Sequence, residues 1–500
     1  MNKFEDKLYT EEAGFLNEQY VFEKIFPENK DIGLVIPKKD YRLRYDVTSK
    51  NRITDTIVID WENSKERYIV IPSIKDDPVL IKYGLDAGLA FFILHFDGDE
   101  LIDLGGIFRD TYETYYFQKE DFQNKDKNTK PRILQAPIAA LYTPGLFVKG
   151  LRELGYKADQ MIYSVGSDIR FLEREPEFDL DAHGNPTEVC RARTIEFMIY
   201  ALKNYDIMHF HSNCSLLFGG ERLWNINSDM AYVSKMGKKI LCSSWGMCDV
   251  SLRGEMDKFN WHSECLICKR VRPLRCENEK YNNAIKTTRK YADVLLTNGR
   301  GVIADKRQIW LENAIDFENF QNAIDRNIPE KFMLPKTDKL RIYHAFANAD
   351  KRDDEKGSQF VKEAVERLQK EGYSVELIYF QNVDHNDLKY YQVQADIIVD
   401  QLYSGWYGSN GAECLALGLP VITYVNPDVE KFLREELGRD IPVVSADPQT
   451  IYDVLKDLVL HPQKRDILSK KAMDFATKYH DYREIVKKLS AIYDALWNGK

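Results

Sequence analysis

The stretch that decides the fold is Asp400 to Tyr424, which reads DQLYSGWYGSNGAECLALGLPVITY. Glycines precede a short helical segment that delivers Glu413, and a Gly-Leu-Pro turn then leads into the apolar strand PVITYV. Glycine-rich turns leave backbone amides uncovered, and a helix that begins at Ser409 to Gly411 adds a dipole that favours an anionic group. The segment therefore predicts a strand, turn, helix and strand with a ligand-binding edge.

The same rhythm of strands and helices extends in both directions from this stretch. A buried-type strand begins at Arg341, and the helix Lys356 to Glu371 has its apolar residues on one face. Earlier, a strand near Arg132 to Gln135 is followed by a turn at Thr143 to Gly145 and the helix FVKGLRELG. Alternation of this kind requires parallel sheets covered by helices on both faces. We therefore expect an α/β fold with two consecutive Rossmann-like halves.

The length of 500 residues predicts roughly three structural units. The polar run DFQNKDKNTK marks a boundary after a leading region whose β-type runs are Thr56 to Trp61, Arg67 to Ile74 and Gly88 to Phe96. We predict an N-terminal α+β module over 1–125, a first Rossmann-like domain over 131–318, a second over 338–480, and a C-terminal helix over 481–500 that crosses back to the first.

Composition and charge exclude several classes of protein. The hydrophobic content of 44% is typical of a globular chain, and the net charge of −9 makes nucleic acid an unlikely partner. The first twenty residues lack the apolar run of a signal peptide, and no later run approaches the roughly 18 apolar residues of a membrane span. The prediction is a cytoplasmic protein without a transmembrane segment, and peripheral membrane association stays open.

The segment from Gly408 to Val421 resembles the donor-binding signature of the retaining family-four GT-B glycosyltransferases. The resemblance implies that Glu413 binds the ribose of a nucleotide-sugar donor such as a UDP-sugar. It also implies that Gly408, Ser409, Asn410 and Gly411 contact the donor diphosphate. The family's first glutamate, which contacts the donor sugar, has no counterpart, because Gly405 occupies the aligned position.

Two further segments extend the resemblance over about 132–500. Lys356-Gly357 match the family's Lys-Gly pair, and Lys351 or Arg352 matches its second cation, so the resemblance implies a metal-independent reaction without a cofactor. YDIMHFHSN matches a strand end whose second histidine, here His211, contacts the donor sugar, and Gly145 resembles a loop glycine that faces the donor. His211, Lys356 and Glu413 are the candidate catalytic residues, and no carboxylate nucleophile is assigned.

Simpler interpretations exist for each candidate residue. Glu413 and Lys356 also suit an exposed helix face, His211 suits a buried histidine with satisfied hydrogen bonds, and Gly145 suits an ordinary turn. At the level of function, the alternatives are a nucleotide-sugar epimerase or hydrolase and a non-catalytic nucleotide-binding scaffold, the latter suggested by Gly405. The acceptor is open among a glycan, a lipid carrier, a protein and a small molecule.

Five of the eight cysteines lie between Cys242 and Cys276. Cys248, Cys265, Cys268 and Cys276, with His262 as a spare ligand, offer thiolates of the type that holds structural zinc, although only one Cys-x-x-Cys pair is present. The alternative is a set of reduced thiols in an insertion over 242–276. In the leading region, acidic and basic residues flank the β-type runs without a recognisable spacing, and these are Asp55, Asp60, Glu62 and Lys75.

Overall fold

The computed structural model describes residues 79–83, 90–96, 116–117, 122, 129–138, 142–163, 176–180, 197–198, 200–212, 215–216, 228–244, 279–297, 307–346, 356–381 and 383–499. The strands within these residues form three sheets. The small sheet pairs β1 (Val79–Tyr83) antiparallel with β2 (Ala90–Phe96), and β2 parallel with β3 (Tyr116–Phe117). The predicted strands Thr56 to Trp61 and Arg67 to Ile74 lie outside the described residues, as do Asp55, Asp60, Glu62 and Lys75.

The first large sheet has seven parallel strands in the order β10-β9-β8-β7-β4-β5-β6. Within the described residues, helices lie between β4 and β5, between β7 and β8 and between β8 and β9, which is the arrangement that parallel pairing requires. The strands are β4 (Ile133–Ala136), β5 (Ala158–Ile162), β6 (Phe178–Asp179), β7 (Ile207–His211), β8 (Lys239–Ser243), β9 (Val294–Thr297) and β10 (Gln308–Trp310), and the helices are α1 (Thr143–Glu153), α2 (Ser228–Lys235) and α3 (Glu279–Tyr291).

The second large sheet has five parallel strands in the order β12-β11-β13-β14-β15. Its strands are β11 (Leu340–Phe346), β12 (Val375–Gln381), β13 (Ile397–Val399), β14 (Val421–Thr423) and β15 (Val443–Ser445). After α4 (Phe317–Ile324) and a 3₁₀ turn (Glu330–Phe332), the helices are α5 (Ser358–Lys370), α6 (His385–Gln392), α7 (Ser409–Ala416), α8 (Pro427–Leu437), α9 (Ile451–Leu460), α10 (Pro462–Tyr479) and α11 (Tyr482–Trp497).

Both faces of the second sheet are buried. In β13, Ile397 and Val399 pack into the core beneath α5 and α9, whereas Ile398 packs into the core on the opposite face with α7 and α10. Strand side chains alternate between faces, so an all-apolar strand is what a doubly covered sheet needs. The two parallel sheets and their covering helices confirm the predicted α/β class.

The last helix, α11, completes the core of the first sheet. Its buried residues, Tyr482, Ile485, Val486, Leu489 and Tyr493, share one apolar cluster with residues of β4, β7 and α1. The approach of α11 to α1 is close, because a Cβ added at Gly150 would lie 2.9 Å from Cγ2 of Val486. A glycine on α1 therefore sets the distance between these two helices.

The chain passes between the two large units twice, and the two passages run side by side. Ile315 N donates to His480 O at 2.7 Å, and Tyr482 N donates to Ile315 O at 3.0 Å. The buried His480 ring bridges both passages: its Nδ1 lies 2.9 Å from Asn313 O and its Nε2 lies 3.0 Å from the Tyr407 hydroxyl. Because a carbonyl only accepts, Nδ1 carries the proton and Nε2 accepts from Tyr407. Burial lowers the pKa of His480 to about 4.

One predicted helix start is wrong. The sequence analysis assigned Thr143 to Gly145 to a turn before the helix, but these three residues form the first turn of α1 and are buried. Pro144 fits there because the first helical positions need no backbone N–H and its fixed φ is compatible with a helix. Gly145 consequently lies inside a helix rather than in a loop.

Candidate functional site

Asp400 is the centre of a buried polar cluster at the carboxyl end of β13. Its Oδ1 accepts from Lys356 Nζ at 2.9 Å and from Asn410 Nδ2 at 3.1 Å, and its Oδ2 accepts from the backbone N–H of Gly408 at 2.8 Å. The Asp400 side chain is fully buried and that of Lys356 nearly so. A buried charge requires such a partner and hydrogen bonds, so the Asp400 carboxylate holds Lys356 and the start of α7 together.

Glycine is required where α7 begins beside this carboxylate. A Cβ at Gly411 would lie 2.7 Å from the Tyr407 Cβ and 2.9 Å from Asp400 Oδ2. Gly408 is the N-cap residue, and Ser409, Asn410 and Gly411 are the first three residues of the helix. Gly408 has no side chain that could cap the helix. The Asp400 carboxylate instead accepts from the Gly408 N–H at this end.

The segment that carries Lys356 is fixed from two sides. Lys356 O accepts from Leu402 N at 3.1 Å, and the side chain of Leu402 packs against Gly357, which has a φ of +76°. This left-handed conformation is costly for residues with a Cβ, and it directs the chain into α5 immediately after Lys356. The ammonium group therefore occupies one defined place at the edge of the second sheet.

Glu413 is buried one turn inside α7, and two donors converge on its Oε1. The Tyr142 hydroxyl lies 2.7 Å away and His385 Nε2 lies 3.0 Å away. Burial raises the pKa of Glu413, and His385, Tyr142 and Lys356 oppose this shift while Asp400 adds to it. Tyr142 immediately precedes α1 of the first unit, so this hydrogen bond crosses between the two units.

A cavity of about 30 Å³ lies beside the Tyr142 and His385 rings, whose centroids are 5.3 Å apart in an edge-to-face arrangement. Residues of α4, its N-cap residue and residues of α6 complete the lining, namely Asp316, Asn319, Phe320, Asn386 and Lys389. The cavity therefore lies next to the two side chains that hydrogen-bond the Glu413 carboxylate. Its walls combine an aromatic face with carboxylate, amide and ammonium groups.

His211 ends β7 in the first unit and is fully buried. Its Nε2 lies 2.8 Å from Gln135 Oε1, and its ring stacks on that of His209 with a centroid distance of 4.5 Å. Burial holds the pKa of His211 well below its usual range, and the adjacent His209 lowers it further. His211 is therefore neutral at neutral pH.

The predicted site residues divide between two sheet edges and the undescribed part of the chain. Lys356, Gly408, Ser409, Asn410, Gly411 and Glu413 lie together around Asp400, whereas Gly145 and His211 belong to the first unit. Lys351 and Arg352 lie outside the described residues, as do Cys248, His262, Cys265, Cys268 and Cys276. Among the residues that are described, no group of three His, Cys, Asp or Glu side chains could hold a metal ion. The predicted zinc ligands are not among those residues, so the zinc site stays a prediction.

Comparisons with known proteins bear on the fold. No protein-family model matches the chain, and no curated protein sequence matches it. Among solved structures, sucrose-phosphate synthase from Thermosynechococcus elongatus superposes with a TM-score of 0.50 at 13% identity, over 74% of this chain and 100% of that one. The fold is GT-B. The chain also matches HepE of Anabaena, solved in complex with UDP and glucose, with a TM-score of 0.46 at 10% identity, over 73% of this chain and 99% of that one. A putative UDP-N-acetylglucosamine 2-epimerase from Listeria monocytogenes matches with a TM-score of 0.47 at 12% identity, over 74% of this chain and 98% of that one.

In a GT-B fold the two Rossmann-like units face a cleft, and the cluster around Asp400 lies at the carboxyl edge of the second sheet, where open parallel sheets bind ligands. Three residues of this cluster were not identified from the sequence: Asp400, Tyr142 and His385. Asp400 carried a signal, because it is a charged residue directly after a buried strand. The contacts of Tyr142 and His385 with Glu413 depend on tertiary structure, and no local pattern indicates them.

Within the described residues, no helix is both long enough and apolar enough to cross a membrane.

Proposed function

We propose that this chain is a glycosyltransferase that transfers a sugar from a nucleoside diphosphate sugar to an acceptor. The observation that carries the proposal is the pairing of two groups at the carboxyl edge of the second sheet. The carboxylate of Glu413 is buried one turn inside α7, and Asp400 holds the Lys356 ammonium next to the start of the same helix. A carboxylate that accepts hydrogen bonds suits a ribose diol, and an ammonium next to the start of a helix suits a diphosphate. The GT-B fold, which this chain shares with sucrose-phosphate synthase, supports the combination.

In the proposed complex, Glu413 accepts from the ribose hydroxyls, and Lys356 with the first amides of α7 binds the diphosphate. Gly408, Ser409, Asn410 and Gly411 form this anion-binding turn, to which Lys351 or Arg352 adds a second cation. His211 contacts the donor sugar from the first unit, and Gly145 lies in the helix turn that faces it. Closure of the cleft around the donor would exclude water from the transfer.

We further propose that the anomeric configuration is retained. The bond between the sugar C1 and the β-phosphate oxygen breaks while the acceptor oxygen bonds to C1 on the same face, and the acceptor proton passes to the departing diphosphate. Lys356 and the α7 dipole stabilise the negative charge of that leaving group, so the proposal requires no metal ion. Chemical analysis of the anomeric configuration of the product tests retention, and turnover in the presence of a chelator tests metal independence.

The first experiment is calorimetric binding of UDP, GDP, ADP and CDP, their sugars and the parent nucleosides. Glu413→Gln keeps the shape of the buried side chain but removes its charge, so it should weaken the nucleoside and the diphosphate alike, by about 10- to 100-fold. Lys356→Met should weaken the diphosphates and leave the nucleoside nearly unchanged. Lys370→Met, at the exposed other end of α5, removes the same charge and should change neither.

The outcomes separate the alternative functions. Absence of nucleotide binding by the folded wild type, or binding that neither substitution at the site affects, would reject the proposed donor site. Turnover of a bound donor without any acceptor would favour an epimerase or hydrolase. Binding without turnover of any donor would favour the scaffold. Gly405 is consistent with that alternative, because its φ of +69° suits glycine and not the glutamate that the family has at this position.

A further inference from the structure

Five polar side chains, four from strands of the first sheet and one from α11, form a continuous hydrogen-bonded chain. His211 Nε2 lies 2.8 Å from Gln135 Oε1, and Gln135 Nε2 lies 2.8 Å from the Tyr493 hydroxyl. The same hydroxyl lies 2.7 Å from His209 Nδ1, and His209 Nε2 lies 2.6 Å from Ser243 Oγ. All five residues are buried. The chain therefore links the ends of β7 and β8 to α11, which belongs to the C-terminal end of the sequence.

The hydrogen bonds in this chain all point in one direction. Since the Gln135 amide nitrogen donates to the Tyr493 oxygen, the phenolic hydrogen is available to His209 Nδ1. His209 then carries its own proton on Nε2 and donates to Ser243 Oγ. At the other end the Gln135 carbonyl oxygen can only accept, so His211 carries its proton on Nε2. One amide orientation thus determines the tautomers of two histidines.

Packing leaves the two rings little freedom to turn. The imidazoles of His209 and His211 are stacked with 26° between their planes, and the Phe147 ring lies 5.9 Å from the former and 6.2 Å from the latter. Burial lowers the pKa of His209 to about 3 and holds that of His211 well below its usual range. Both rings are therefore neutral at neutral pH, and each has one donor nitrogen and one acceptor nitrogen.

We propose that Gln135 and Tyr493 are positioning residues that hold His211 in the Nε2–H tautomer and in one orientation. Neither residue needs to touch a substrate. Their role in transfer rests on the proposed function, in which His211 contacts the donor sugar, because a misplaced contact raises the barrier of the reaction even when binding persists. Through Tyr493, α11 takes part in positioning His211 at the end of β7.

The tautomer can be measured without any substrate. Full-length protein labelled with ¹⁵N-histidine is examined by long-range ¹H–¹⁵N correlation at neutral pH, and the signals of His211 are identified by their loss in His211→Asn. The expected wild-type pattern is a pyrrole-type Nε2 and a pyridine-type Nδ1 for His211. In Tyr493→Phe, which keeps the buried ring but removes the hydroxyl, His211 should move towards a mixture of tautomers.

Tyr156→Phe is the matched control, because the Tyr156 hydroxyl also bonds to α11, through Asp494 Oδ1 at 2.7 Å, yet lies outside the chain. It should leave the His211 signals unchanged. Under the proposed function, Tyr493→Phe should lower kcat about tenfold with KM for the donor within about twofold, and Tyr156→Phe should alter neither. A larger effect on KM than on kcat would contradict the positioning role.

The two proposals fail separately. If no donor is turned over, the transferase proposal fails while the spectra still decide the tautomer. A wild-type His211 protonated on Nδ1, or an identical spectrum of His211 in Tyr493→Phe, would overturn the positioning role whatever the enzyme does.

Discussion

At the scale of single residues, Gly411 tests the compact geometry around Asp400. Alanine normally stabilises a helix by about 1 kcal/mol relative to glycine. Here the added Cβ would approach the Tyr407 Cβ to 2.7 Å and Asp400 Oδ2 to 2.9 Å, so Gly411→Ala should instead destabilise the protein by about 2 kcal/mol. It should also weaken diphosphate binding, because Asp400 must move and Lys356 with it.

Urea unfolding and nucleotide calorimetry on the same preparation check this prediction. Gln463→Ala, at an exposed position near the start of α10, is the control and should change either quantity only slightly. A stabilised Gly411→Ala protein would mean that the turn relaxes easily and that Asp400 does not depend on it.

The sequence was sufficient to nominate Glu413 and Lys356 as candidates, because the strand, glycine turn and helix around each form a local pattern. The partners of these residues could not be selected in this way. Tyr142 and Glu413 are 271 positions apart, and their contact depends on how the two units meet. His211 was placed correctly at a strand end, but its buried network with Tyr493 follows from the return of α11 to the first sheet.

At the scale of elements, the contact between α1 and α11 depends on the absence of a side chain at Gly150. Gly150→Ala would place a Cβ 2.9 Å from Val486 Cγ2, so we expect a loss of about 2 kcal/mol through displacement of α11. Val486→Ala removes Cγ2, the closest of the contacting atoms, and should cost about 2 kcal/mol by itself as a truncation in the core. The double variant should lose at least about 1 kcal/mol less than the sum, because the second substitution provides room for the first.

A double-mutant cycle in urea measures this coupling. Additive losses would show that Gly150 does not limit the approach of the helices.

The start of α1 shows why element boundaries are harder to predict than elements. Thr143-Pro144-Gly145 reads as a turn because proline and glycine are strong turn formers, yet proline is equally suited to the first turn of a helix. Burial of this turn against the rest of the first unit decided the outcome. The strands were predicted more closely, because apolar runs buried on both sides leave little ambiguity.

At the scale of the whole molecule, His480 makes the contact between the two chain passages sensitive to pH. The folded protein keeps His480 neutral down to about pH 4, whereas the unfolded chain takes up its proton near pH 6.5. The unfolded state therefore binds more protons between these values, and stability falls as the pH is lowered through this range. Between pH 7 and pH 5, the wild type should lose about 2 kcal/mol more stability than His480→Gln.

Unfolding titrations at pH 7, 6 and 5 test this expectation, with His461→Gln as the control because His461 is exposed. If the wild type and His480→Gln lose stability equally with acid, the histidine must remain accessible to protons in the folded protein.

The presence of two parallel sheets could be predicted from the sequence, since the alternation of strands and helices permits little else. The order of the strands could not. β4 lies between β7 and β5 in the first sheet, and β11 lies between β12 and β13 in the second, so neighbours in space come from separated parts of the chain. Local periodicity carries no information about such pairings, which depend on crossover connections and tertiary packing.

The position of α11 affects the order of events during synthesis. The helix supplies five buried residues to the core of the first unit, but the ribosome makes it only after the entire second unit. At about 5–20 residues per second, the nascent first unit waits on the order of ten seconds or more with an uncovered apolar surface. Co-translational folding of the first unit therefore cannot finish before α11 has been made. A variant truncated before α11 would leave that surface uncovered and favour aggregation.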